Sequence, residues 1–291
     1  MLQRATEIVF ATDFSDSSHA MIPTVAQWVE NLSAKLTVLH VYNPKKTLYR
    51  EAEVRLRSFF AEADNYQHCE RVLISGDACD GIASYCERRS NVLLMLPPSD
   101  LSGLPRPWHR SLRARLILRL SIPIWTVGKV NVGEAAPTSN RNIGVWLGDP
   151  EEGLSHLQHA AAYAAETGGT LHLLHVVDEI NEGSMLKPLL SSAPMGEESA
   201  DAWLRDIADT YELDCRFEVH VAQGRVAREL PQLLHRSGAN MLVLSQQSAV
   251  QSTVFGIEIN PVFRNCPISL VSVPFASRFE ELQREMAESA A

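Results

Sequence analysis

Long apolar runs are missing from this 291-residue sequence; none approaches the ~18–20 residues that a membrane-spanning helix needs. Cysteine is scarce and odd in number: Cys69, Cys79, Cys86, Cys215 and Cys266, with no Cys-x2-Cys spacing. That excludes a disulfide framework and a cysteine-built zinc site, and predicts small buried hydrophobes instead. Catalytic signatures are absent too: no Walker loop, no Gly-x-Gly-x-x-Gly fingerprint and no Gly-x-Ser-x-Gly elbow. The opening Met1–Glu7 holds no signal-peptide core, so the expected compartment is the cytoplasm. Positive charge is in deficit, with a net of −9, which argues against general nucleic-acid binding. The deficit is lopsided: 16 Lys+Arg stand against 14 Asp+Glu up to Ser139, and 10 against 21 beyond it.

What the sequence does contain is a second copy of itself. Leu39-His40-Val41 returns as Leu174-His175-Val176, 135 residues on. Gly76 follows one apolar run and Gly224 follows its counterpart. Asn91–Leu96 is echoed by Asn240–Leu244, and Ser121–Val127 by Asn265–Val271. Four landmarks in one order predict two domains, residues 1–130 and 141–275, with a linker at 131–140 and a polar tail at 276–291. Each copy alternates short apolar runs with helical patterns. Strands are expected near 8–12, 36–42, 70–75, 92–96 and 123–127, and again near 142–147, 170–177, 215–221, 241–245 and 268–273. Helices are expected at Ser17–Ser33, capped by Ser17 or Ser18, at Glu51–Tyr66, from Asp77 or Asp80 to Arg89, and at Trp108–Leu120. Alternating βα units build a parallel sheet with helices on both faces, and ligands sit beyond the strands' carboxyl ends.

Ile8–Ser15, the helix after it, Leu39-His40-Val41, Gly76 and Pro123–Val127 together resemble the universal stress protein family, across nearly all of both copies. The resemblance implies two Rossmann-like or flavodoxin-like α/β domains, each a five-stranded parallel sheet of order 3-2-1-4-5. It also implies pairing of the two through their last strands as an internal pseudo-dimer. Many members bind ATP with a Gly-x2-Gly-x9-Gly-Ser/Thr loop after the fourth strand. Glycine suits that loop because backbone must approach phosphate closely at positive φ, and the loop feeds a helix N-terminus. Counted back from Pro123, the three glycine places hold Pro97, Asp100 and Arg110, followed by Ser111. Proline lacks an N–H donor, and aspartate repels a triphosphate. Asp13 matches the acidic residue that contacts the adenine region in binding members. In the second copy Gly148 takes the place of Asp13, with Asp149 beside it; Ser245 and Ser248 replace the first two glycines, and Gly256 is a shifted stand-in for the last. Loss of ATP binding is the expectation, and no cofactor is expected; domain 1 keeps the better claim to ATP.

Other clusters carry weaker chemistry. Arg106, His109, Arg110 and Ser111 gather at a helix start and form a candidate anion site, to be set against a solvated basic face with Arg113, Arg115 and Arg119. His40 and His175 recur at matching places but lack ligand partners at metal spacing, and His156 and His159 lie three apart on one helix face; no metal site is expected. Asp13 and Asp16 form an acidic pair without the late lysine that phosphoryl acceptance needs. The long connection Ile180–Gly196 covers the second pocket or is a disordered insertion. The leading expectation is a non-catalytic stress-response protein acting through a ligand or protein partner, with domain–domain pairing inside the chain and a homodimer left open. Two alternatives stand beside it: an ATP-binding switch with slow hydrolysis in domain 1, and a carrier of a small ligand in a remodelled pocket.

Overall fold

The computed structural model describes residues 5–66, 68–97, 112–127, 141–148, 154–177, 196–246 and 268–274. The first half runs β1 (Glu7–Ala11), α1 (Asp16–Ala20), α2 (Ile22–Leu32), β2 (Lys35–Tyr42), α3 (Tyr49–Ser58), β3 (Cys69–Ser75), α4 (Ala78–Cys86), β4 (Val92–Leu96), α5 (Leu112–Arg119) and β5 (Ile124–Val127). The second runs β6 (Asn142–Trp146), α6 (Ser155–Thr167), β7 (Thr170–Val177), α7 (Glu197–Thr210), β8 (Arg216–Gln223), α8 (Val226–Ser237), β9 (Met241–Ser245) and β10 (Ser269–Val273). The proposed linker and tail lie outside the described residues.

All ten strands form one sheet of order β3-β2-β1-β4-β5-β10-β9-β6-β7-β8. Each half keeps the parallel order 3-2-1-4-5, and the halves meet through an antiparallel β5–β10 ladder. The register of that ladder is symmetric. Thr126 faces Leu270, its own counterpart in the repeat, while Val127 faces Ser269 and Trp125 faces Val271. Gly76 and Gly224, both at φ +140°, end β3 and β8 in a conformation that L side chains rarely adopt.

The strands are buried because their side chains alternate between two packed faces. On one face Ile8, Phe10, Trp125, Ile143, Leu171 and Val271 belong to a single core that crosses the seam. Trp28 of α2 and Tyr163 of α6 stack there at 5.4 Å and 18°. On the other face the core divides in two, and Ile117 of α5 packs against both parts.

Two helical expectations are corrected. The segment Ser17–Ser33 is two helices, not one, with the break at Met21. Pro23, in the first turn of α2, has no N–H to bond back to His19, so the helix must restart. The cap is Ser15 rather than Ser17 or Ser18; its hydroxyl accepts the Ser18 N–H at 3.2 Å. Glu51–Tyr66 ends as a helix at Ser58, because Phe60 turns to φ +55° and a 3-10 turn follows. For α4 the cap is Asp77, whose carboxylate accepts the N–H groups of Cys79 and Asp80.

Candidate functional site

The loop after β1 sits where a ligand of this sheet type is expected. Several of its donors and acceptors bond one another. Asp13 Oδ1 accepts the Ser15 N–H at 3.0 Å and the Ser18 hydroxyl at 2.7 Å. Desolvation pushes the Asp13 carboxyl up, but the bonds from Ser15 and Ser18 outweigh it and hold it below its ordinary 3.8. Thr12 Oγ1 accepts the Phe14 N–H at 3.0 Å.

Phe14 is the residue the sequence reading missed. Its backbone sits at φ +63°, a costly place for a bulky side chain. That conformation lays its ring on His40 at 4.2 Å and against Phe59 at 5.5 Å, with the Arg55 guanidinium 4.8 Å above it. His19 adds an edge contact to Phe59 at 4.7 Å. His40 Nδ1 donates to the Thr12 carbonyl at 2.8 Å, and burial holds the ring below the ordinary histidine range. Aromatic side chains of the first half thus cluster at its strand ends.

The second half repeats the histidine and changes its surroundings. His175 Nδ1 donates to the Leu147 carbonyl at 2.6 Å, between the rings of Trp146 and Trp203. His156 bonds the Trp146 carbonyl at 3.0 Å, a structural role. Ser245 is fully buried, and neighbouring Gln246 donates across the seam to the Ile122 carbonyl at 2.9 Å. Gly148, the counterpart of Asp13, ends the described part of this loop.

Of the other expected site residues, Pro97 is described at the end of β4 and is partly buried. Asp100, Arg106, His109, Arg110, Ser111, Asp149, Ser248 and Gly256 lie outside the described residues, as does the connection 180–195. The rest of the arginine group serves packing. Arg115 pairs with Asp77 at 3.2 Å, and Arg119 with Asp80 at 2.7 Å and Glu87 at 3.0 Å, clasping α5 to α4. Arg113 lies 3.4 Å from the Thr126 hydroxyl, and burial pushes its guanidinium down to about 10. A depression of about 560 Å³ lined by Lys35, Asp64, Tyr66, His68 and Cys69 lies at the opposite end of the strands.

A second constellation, also unforeseen, lies on the outer strands β7 and β8. His172 Nδ1 stands 3.0 Å from His220 Nε2, and each stands 3.5 Å from Glu218 Oε2. Burial lowers the proton affinity of both rings; His220 adds to this for His172, and Arg236 for His220. The signal available in the sequence was Glu-x-His on one strand and His172, one of two histidines, on its neighbour, legible only once the register is known.

Residues 139–274 match the model of the universal stress protein family. Solved structures share the architecture over nearly the whole chain. A universal stress protein from Archaeoglobus fulgidus DSM 4304 superposes with a TM-score of 0.72 at 14% identity, covering 95% of this chain and 99% of that one. One from Pseudomonas aeruginosa UCBPP-PA14, described as putative, gives 0.61 at 13% identity, covering 99% of each chain. No curated protein matches the sequence.

Proposed function

From the match of residues 139–274 to the universal stress protein family, we propose that this chain is a member of that family and a non-catalytic stress-response protein. It acts by binding a ligand or protein partner, and ATP binding is lost. The observation that carries this reading is Phe14. An adenine entering beside Asp13 meets a ring 4.2 Å from His40 and a carboxylate whose Oδ1 is already bonded to Ser15 and Ser18. The phosphate side agrees, because Pro97, at the first glycine place, has no N–H to offer. The antiparallel β5–β10 ladder serves in this reading as an internal dimer contact, so each copy is the other's permanent partner. Among the described residues no helix is long and apolar enough to cross a membrane.

Calorimetric titration of the full chain with Mg·ATP tests the proposal. The expected result is no saturable heat at millimolar nucleotide. Micromolar binding with slow phosphate release supports the ATP-switch alternative and overturns the proposal.

A further inference from the structure

We propose that His172, Glu218 and His220 form a three-ligand site for a divalent transition-metal cation of the zinc type on the outer edge of the second half. The inference is independent of the ATP reading. It starts from the register: His172 of β7 lies directly opposite Glu218 of β8, and His220 follows two residues on. The pleat therefore puts all three side chains on one face.

The three facing atoms are separated by 3.0, 3.5 and 3.5 Å. Ligand atoms held tetrahedrally at zinc distances of about 2.0–2.2 Å lie roughly 3.3–3.5 Å from one another. The triangle already has the size of one tetrahedral face. Two imidazole nitrogens and a carboxylate oxygen are the donor types such an ion takes. Without metal, the two neutral rings at 3.0 Å share one proton. With metal, the donor ring's proton moves to its own far nitrogen, Nε2 if the donor is His172 and Nδ1 if it is His220, and the proton count stays the same.

The surroundings set the strength. His172 is 4% exposed, and its Nε2 has no hydrogen-bond partner. An imidazole whose far nitrogen lacks an acceptor is a poorer ligand, typically by 10–100-fold. Arg236 lies near enough to act electrostatically on His220 and opposes a cation. Both effects point to micromolar rather than nanomolar affinity. Glu218 reaches solvent, with 60% of its side chain exposed, so the fourth position is open to water.

The first half supplies an internal comparison. The matching register positions there are Thr37, Glu70 and Val72. The glutamate is kept, but Lys35 Nζ takes it at 2.6 Å, and no ring nitrogen stands nearby in the register. Among the described residues the site belongs to the second half alone.

Full-length protein is stripped with chelator, then titrated with ZnCl2 by calorimetry and with CoCl2 by visible absorption. The expected result is saturable zinc binding and the intense visible bands of tetrahedral cobalt. His220→Gln is expected to weaken zinc at least ~100-fold and Glu218→Gln ~10-fold, with circular dichroism unchanged. His172→Gln should also abolish binding, but it replaces a buried group; the two outer variants decide the matter if it fails to fold. No saturable zinc binding by the wild-type chain overturns the proposal. So does zinc binding that survives both His220→Gln and Glu218→Gln in folded protein.

Discussion

Trp28 stacks on Tyr163, the residue that holds its own place in the second copy 135 positions later. Both are buried, at 1% and 3% exposure, and each packs one half against the other. Trp28→Ala is therefore expected to lower stability by about 3–5 kcal/mol. Urea unfolding of Trp28→Ala, Tyr163→Ala and the double variant should give a coupling of about 0.5–1.5 kcal/mol beyond the single losses. Simple additivity would mean that the rings touch without interacting.

The seam itself predicts how fragments behave. Residues 1–130 alone expose β5, and residues 141–275 alone expose β10, each an unpaired row of backbone groups. Each fragment should self-associate in sedimentation, and an equimolar mixture should form a one-to-one complex. Fragments that stay monomeric at high concentration would show that the ladder does not drive pairing.

Acid should weaken the first half in two steps. His40 is held below the ordinary histidine value of 6.5, so the unfolded chain takes up the proton first as pH falls. Stability drops from about 6.5 downward and levels once the folded ring is also charged. Asp13 is held below 3.8, so its contribution is present above that value and is lost as pH falls through the lower folded one. Two-dimensional NMR of the histidine rings should place the His40 midpoint below 6.5, and His40→Gln should reduce, with His172 and His220 still contributing, the fall of the thermal midpoint between pH 7 and 5.5.

Restoring glycine at Pro97, Asp100 and Arg110 should not by itself restore ATP binding, because Phe14 still stands at the strand end beside His40. Adding Phe14→Ala to that triple variant should raise ATP affinity measurably in equilibrium dialysis. Equal gains with and without Phe14→Ala would remove the aromatic ring as the obstacle.

Most strand positions were legible because fully buried strands such as Val92–Leu96 and Met241–Ser245 read as unbroken apolar runs; the repeat rested on four matching landmarks, and the strand order on the family resemblance. The break at Met21 was less so, since Pro23 is as welcome in a first turn as it is disruptive further in. Phe14 entered the sequence reading only as part of the Ile8–Ser15 resemblance; its place against His40 comes from a backbone angle of +63°, which no periodicity encodes. His172 and His220 are 48 residues apart, and only the β7–β8 register brings them to 3.0 Å.

The pairing of Thr126 with Leu270 carries a consequence for how such a chain can vary. In a dimer of identical subunits a residue on the two-fold axis meets itself, so every substitution there enters twice. Here the axis passes between two positions written separately in one polypeptide. Threonine can face leucine, and tryptophan can face tyrosine. A change on one side needs only one matching neighbour. Fusion thus frees each half to acquire its own residues, such as the histidine pair in one and the Lys35–Glu70 bond in the other, without its twin following.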